Sequence, residues 1–307
     1  MISKRKPSNT PFVVSRKAPN IFTVDWKAKS NDWTGWVLLR SDAHHDSPHS
    51  DHDMQKRHLD LAIKRGAAII DCGDVFDLMQ GKWDPRRSKF ECRPEFATSG
   101  DYLDKVINNT ADFLAPYSSN FVCIGRGNHE QSVMKNLETD VTERLCARMS
   151  GISGKNVWSS GYGGYVIFKV DYCGRSCNLI LKHYHGTGGG GEMSKGTLSV
   201  VRDAAKFDPN SDIIAEGHIH ELWMLSLERE RLVTQNGVYK IETKPQYHLR
   251  CGSYKDEHGS GYAGWSVERN MPPKSKGAWW VKLGFSAAKF KGEPQSMKMN
   301  VNFEIAT

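Results

Sequence analysis

The sequence predicts an α/β protein, and two observations predict it. Five short apolar runs read as strands: Trp36 to Leu39, Ala67 to Ile70, Phe121 to Ile124, Leu179 to Leu181, and Ile213 to Ala215. Each is followed by residues that bind or move protons and metals. These are Asp42-Ala43-His44, Gly73-Asp74-Val75-Phe76-Asp77, Gly127-Asn128-His129-Glu130, His185-Gly186 and Gly217-His218-Ile219-His220. Segments with helical spacing of apolar residues lie between several of the runs. In an open α/β sheet, ligands collect at the carboxyl ends of the strands. The pattern therefore predicts one site assembled from five strand ends.

In chain order, residues 1–34 read as a basic N-terminal extension. Its first part carries Lys4, Arg5, Lys6, Arg16 and Lys17, with Pro7, Pro11 and Pro19 interspersed. Termini of this composition are commonly loose. Residues 35–307 then read as a single domain, with Trp26, Trp33 and Trp36 packing along the entry to the first strand. Met54 to Arg65 has a helical pattern. Residues 81–101 form a long connection that is basic (Lys82, Arg86, Arg87, Lys89, Arg93) and partly aromatic (Trp83, Phe90, Phe96). Long loops of this kind tend to be functional, and basic plus aromatic side chains suit a nucleotide or single strand. Helices are expected over Tyr102 to Leu114, Leu137 to Met149 and Ser194 to Phe207. A hairpin is expected where Tyr165 to Val170 meets Asn178 to Lys182 across Asp171-Tyr172-Cys173-Gly174. Beyond Leu222 the chain alternates as short strands, ending with Trp279 to Leu283 and Met297 to Ile305. There is no internal repeat and no linker.

Composition narrows the class. Charged residues at 25% and hydrophobic residues at 38% are those of a globular chain, which excludes a disordered one. No window approaches the ~18 apolar residues of a membrane span, and the basic start has no apolar core after it, so no secretory signal is expected. The seven cysteines are odd in number, and Cys72 and Cys123 fall in strand-like runs. Free thiols in a reducing cytoplasm are expected, with no membrane partner. The net charge of +7 and pI near 8.9 suit a polyanionic substrate. Gly186-Thr187-Gly188-Gly189-Gly190-Gly191 lacks the Gly-Lys-Ser/Thr of a P-loop, which argues against a nucleoside triphosphatase.

The motif chemistry is that of a metal centre. Asp, His and Asn suit Mn²⁺, Fe²⁺, Zn²⁺ or Mg²⁺. A carboxylate such as Asp74 can serve two ions with its two oxygens, and two ions ~3.5–4 Å apart can clamp a phosphoryl group and activate a water.

The order and spacing of Asp42-x-His44, Gly73-Asp74-x-x-Asp77, Gly127-Asn128-His129-Glu130, His185 and Gly217-His218-x-His220 resemble the calcineurin-like metallophosphoesterase superfamily. Gly252-Ser253 resembles the turn that often follows the last motif. The resemblance spans about residues 36 to 254 and implies a four-layer sandwich of two mixed β-sheets flanked by helices. It implies one ion held by Asp42, His44, Asp74 and His220, and a second held by Asp74, Asn128, His185 and His218. Mn²⁺ is the first choice, with Fe, Zn or Mg as alternatives. His129 would act as general acid or transition-state stabiliser, oriented by Asp77. His183 lies two residues before His185, but only His185 precedes glycine, as the family ligand usually does. Arg126 is similar to the phosphate-gripping arginine of serine/threonine protein phosphatases, and His45 is a second candidate for the substrate. Those phosphatases carry Asp-Arg-Gly where this chain has Asp77-Leu78-Met79, and they lack Gly-His-x-His. The expected function is hydrolysis of a phosphodiester, in a nucleotide or nucleic acid, by a metal-activated water. A phosphomonoesterase and a non-catalytic metal-binding scaffold are the alternatives, and the oligomeric state is left open.

Overall fold

The computed structural model describes residues 10–78, 92–97, 100–186, 208–235, 237–259, 265–268, 270, 272–290 and 293–307. The helix expected over Ser194 to Phe207, most of the 81–101 connection and the glycine run after Gly186 lie outside them.

Two mixed sheets build the molecule. The six-stranded sheet runs β13-β12-β3-β4-β5-β6, from Glu293–Ala306, Ala278–Phe290, Gly35–Arg40, Ala68–Asp71, Phe121–Gly125 and Ser159–Gly161. Its strands β3 to β6 are parallel, and β12 joins β3 antiparallel. The seven-stranded sheet runs β1-β2-β7-β8-β9-β11-β10, from Phe12–Ala18, Ile21–Lys27, Gly163–Tyr172, Arg175–Tyr184, Ile213–Glu216, Val238–Arg250 and Trp223–Gln235. The predicted hairpin is β7–β8, paired antiparallel from Gly163↔Tyr184 to Tyr172↔Arg175.

Side-chain alternation sorts each strand between two cores. Val37 and Leu39 of β3 face the other sheet with Phe22, Val24, Trp26, Phe168, Leu181 and Val281. Leu38, between them, faces the opposite core with Ile69, Leu59, Val106, Leu114 and Leu145. Strand β4, Ala-Ile-Ile-Asp, is buried along its whole length, as a parallel strand covered on both faces must be. The outer core is closed by helices α1 (His52–Arg65), α3 (Tyr102–Leu114), α4 (Asn128–Leu137) and α5 (Val141–Ser153), with a single turn, α2, at Pro94–Ala97. Each long helix turns apolar positions three and four apart inward, for example Val106, Ile107, Ala111 and Leu114. The Asp51 carboxylate caps α1 by accepting from Met54 N, and Asp140 caps α5 by accepting from Thr142 N and Glu143 N.

Several expectations are revised. Residues 12–27, expected in a basic N-terminal extension outside the domain, form β1 and β2. Strand β2 pairs parallel with β7, and its Phe22, Val24 and Trp26 are buried between the sheets. The alternation Phe22-x-Val24-x-Trp26 carries that signal, but the basic residues around it mask it. The helix expected from Leu137 is α5, which starts at Val141, and an unexpected helix precedes it: α4 starts at Asn128 and stops where Glu138 turns left-handed at φ 52°. The short strands expected after Leu222 are one long hairpin, β10–β11, paired from Trp223↔Arg250 to Gln235↔Val238. The five motif strands are divided, as the expected second sheet requires, with β3, β4 and β5 in one sheet and β8 and β9 in the other.

Trp26 is 1% exposed and packs on Phe12, Trp33 and Phe168 at ring-centroid distances of 5.5–5.9 Å. Trp26→Ala is expected to lower stability by ~3–5 kcal/mol in urea unfolding. A loss below ~1 kcal/mol would mean that β1–β2 is not integral to the domain.

Candidate metal centre

The site forms where the carboxyl ends of β3, β4 and β5 face those of β8 and β9. Strand geometry alone would send successive side chains to opposite faces. The chain instead turns left-handed at the donors: Asp42, His44, Asp74, His218 and His220 have φ of 52°, 43°, 51°, 79° and 56°. Such backbone is uncommon outside glycine, most tolerable for Asp, Asn and His, and concentrated at functional sites. Two glycines allow the loops to close on one another. A Cβ on Gly127 would stand 2.0 Å from Asp74 Oδ1, and one on Gly217 would stand 2.0 Å from Ser41 Oγ and 2.6 Å from Asp42 Oδ2.

The donors, most of them buried, fall into overlapping clusters. Asp42, His44 and His220 form one, His44, Asp74 and His129 a second, and Asp74, His185 and His218 a third. His220 Nε2 is 3.2 Å from Asp42 Oδ1 and 3.2 Å from His44 Nε2. His185 Nε2 is 3.0 Å from Asp74 Oδ2 and 2.9 Å from Asn128 Oδ1, and His218 Nδ1 is 2.6 Å from that same amide oxygen. Asp74 thus stands between the two groups. Backbone amides fix both acids: His129 N donates to Asp74 Oδ1 at 3.0 Å, and His218 N donates to both oxygens of Asp42. Carboxylate oxygens, an amide oxygen and imidazole nitrogens form a set suited to hard or borderline divalent ions.

Carboxylates behind the imidazoles set which nitrogen faces inward. Asp77 Oδ1 is 3.0 Å from His44 Nδ1, and Glu257 Oε1 is 3.0 Å from His220 Nδ1. An ionised carboxylate only accepts, so each Nδ1 carries a proton and each Nε2 is presented to the cluster. His129 is held differently from the expectation. Its Nδ1 donates to the backbone carbonyl of Asp77 at 2.5 Å, while the Asp77 carboxylate is 3.6 Å away and closer to His44.

Electrostatics reflect the crowding. Burial raises Asp42, but the His220 imidazole outweighs it and holds the acid at about 2. Burial likewise opposes ionisation of Asp74, and His185 and His129 overcome it, leaving its pKa well below the usual range. Burial lowers His220, yet Asp42 and Glu257 bring it up to about 10; burial lowers His185, yet Asp74 brings it up to about 9. Protons thus occupy the positions that cations would take.

Of the sequence candidates, Asp42, His44, Asp74, Asp77, Asn128, His129, His185, His218 and His220 come together. His183 does not: it is fully buried between the sheets, with Nε2 3.5 Å from Cys123 Sγ. His45 is buried against His52 and Phe113, at ring distances of 4.5 and 4.6 Å, and does not face the cluster as a substrate residue would. Arg126 is paired with Asp140, the cap of α5. The sequence assigned no role to four supporting residues. Glu130 accepts from Gly127 N and Phe76 N, tying two motif loops together; burial and the nearby Asp74 raise its pKa to about 8. Asp46 accepts from Asp77 N and Leu78 N. Tyr162, 42% exposed, sets its ring 5.9 Å from that of His185. Glu257, with Lys274 beside it, carries no motif signal at all. All seven cysteines are free thiols, and among the described residues no helix is long and apolar enough to cross a membrane.

The chain has a two-sheet α/β architecture with the five motifs at strand ends in the expected order. No protein-family model matches it, and no curated protein does. Solved structures of similar fold include Vps29 of Entamoeba histolytica complexed with zinc, at 12% identity and TM-score 0.35, covering 87% of this chain and 98% of that one. Calcineurin-like phosphoesterase YfkN from Bacillus subtilis is 14% identical at TM-score 0.36, covering 87% and 90%. GAP50, the anchor in the inner membrane complex of Plasmodium, is 11% identical at TM-score 0.41, covering 88% and 89%. Likenesses this distant say nothing of activity.

The raised histidines give a stability signature. Their folded pKa values of about 9 and 10 exceed the ~6.5 of an unfolded histidine. Their stabilising contribution is therefore complete below ~6.5 and disappears as pH rises through the folded values. Metal-stripped protein should lose melting temperature between ~pH 7 and 10, and saturating Mn²⁺ should offset the loss by displacing those protons. Thermal scans in chelator and in Mn²⁺ across that range measure both; equal, flat profiles would remove the protonated pairs.

Proposed function

We propose that this chain is a dinuclear metal-dependent phosphoesterase that hydrolyses a phosphodiester of a nucleotide or nucleic acid. The observation that carries the reading is the position of Asp74, whose carboxylate belongs to a cluster with His44 on one side and with His185 and His218 on the other. Asp42, His44 and His220 would hold one ion, and Asn128, His185 and His218 the other, with Asp74 shared. Mn²⁺ is the first candidate and Fe, Zn or Mg the alternatives, because neither cluster offers a thiolate. Two such ions supply Lewis-acid polarisation of the phosphoryl group and a water activated at neutral pH.

His129 suits proton delivery to the leaving oxygen. Its Nδ1–H is fixed on the Asp77 carbonyl, which turns Nε2 to within 3.8 Å of Asp74 Oδ2, on the cluster side. The ring remains 13% exposed, so a substrate can reach it. Arg126, the residue that would grip a phosphate monoester, is engaged by Asp140. Together with the net charge of +7, this favours a diester within a polyanion over a phosphomonoester.

The test is Mn²⁺-dependent hydrolysis of bis-p-nitrophenyl phosphate beside p-nitrophenyl phosphate, with labelled single- and double-stranded DNA in parallel. Turnover of the diester and of DNA is expected. Activity on the monoester alone would make the protein a phosphomonoesterase, and two bound ions without turnover of any substrate would leave a metal-binding scaffold. In the same assay His129→Ala should lower turnover by ~10²–10⁴ with metal content unchanged. Wild-type turnover in that variant would remove its role as the acid.

A further inference from the structure

We infer that Glu257 is a positioning residue for His220, and that it makes the metal position formed by Asp42, His44 and His220 the tighter of the two. This rests on reading the site as a dinuclear metal centre, and it concerns a residue outside every motif.

The geometry is a relay through one imidazole. Glu257 Oε1 lies 3.0 Å from His220 Nδ1, and the opposite nitrogen, Nε2, lies 3.2 Å from Asp42 Oδ1 and 3.2 Å from His44 Nε2. Glu257 therefore touches the face of the ring that points away from the donors. It acts on a metal through His220, not as a ligand. Its side chain is 11% exposed, and its surroundings are fastened at several points. Lys274 Nζ sits 3.8 Å from Oε2 and donates at 2.9 Å to the carbonyl of Ile219, inside the Gly-His-x-His loop. Asp256 N donates to the His49 carbonyl, and Ser266 N donates to the Glu257 carbonyl. The carboxylate and the loop it supports thus share one lysine.

His44 is supported in the same way. Asp77 Oδ1 is 3.0 Å from its Nδ1, and Lys255 Nζ is 2.9 Å from Asp77 Oδ2. Both imidazoles of the first position consequently stand on carboxylates, each with a lysine beside it. The second position differs. Its His218 has Nδ1 on the neutral amide of Asn128, and His185 meets Asp74, itself a shared donor. Among the described residues no further carboxylate pairs directly with either ring, although Glu130 acts on His185 electrostatically from farther off. A carboxylate behind an imidazole fixes the tautomer, stiffens the ring and makes the inward nitrogen a stronger donor. Removing such support typically costs 10–100-fold in metal affinity. The unequal support therefore predicts unequal sites.

The experiment is calorimetric titration of the metal-stripped full chain with Mn²⁺, comparing wild type, Glu257→Gln and Glu257→Asp. Wild type should take up two ions in resolved steps. In Glu257→Gln, nearly isosteric but uncharged, the tighter step should weaken by ~10–100-fold while the weaker step stays in place. Glu257→Asp, which keeps the charge, should recover part of the difference and serves as the comparison if the glutamine variant does not fold. Two steps unchanged in Glu257→Gln would overturn the inference, as would an equal weakening of both steps, which is the mark of a general structural role. A wild type that binds no Mn²⁺ would instead sink the metal-centre reading itself, so the two failures are distinguishable.

Discussion

The constraint on which the rest depends is a backbone one: donors on strands of two different sheets must be turned toward a common point. Left-handed φ at Asp42, His44, Asp74, His218 and His220 accomplishes that turn. Conformations of this kind persist only when their surroundings over-determine them. The surroundings here are two apolar cores and a set of loop-to-loop bonds. Ser41 Oγ donates to the Gly73 carbonyl, Ser253 Oγ and Tyr254 N donate to the Asp42 carbonyl, and Glu130 clamps Gly127 to Phe76. Burying several acids in one place would be costly without compensation. Facing imidazoles and backbone N–H groups supply that compensation, and the same groups point the acids.

Much of the site was legible because strand and ligand signals coincide. An apolar run fixes where a strand stops, and Asp, Asn or His immediately beyond it can only be placed at the sheet edge. His185 was legible against His183 through its following glycine, and the structure gives the reason. Gly186 has φ 95°, where the chain leaves β8 and passes Arg250, while His183 still obeys strand alternation and points into the core. What was illegible depends on long-range contact. Arg126 is taken by a helix cap fourteen residues on, and His45 is taken by Phe113 of α3. Glu257 reaches His220 across the end of the seven-stranded sheet, and no local pattern announces it.

The fold was legible to a similar depth. Period-two alternation located most strands, and the β7–β8 hairpin was expected to begin a second sheet, as it does. The sequence run β3-α-β4-α-β5 reads as one parallel sheet, whereas β8 and β9 join a second sheet through β7 and β11. The N-terminal hairpin was hidden because its inward residues, Phe22, Val24 and Trp26, alternate with polar ones in a basic stretch. Composition reported the polar face, and burial is decided by the other.

The division of the donors between the sheets has one more consequence. Two of the three clusters draw from both: Asp42 and His44 with His220, and Asp74 with His185 and His218. An ion in either position would therefore add a cross-link between two layers that are joined by apolar contact and by a few hydrogen bonds, such as that from Trp279 Nε1 to the Arg250 carbonyl. Apolar contact is tolerant of small sliding, whereas a coordination sphere is not. Such an ion would act as a rivet, holding the alignment of the sandwich at the edge where the donors gather.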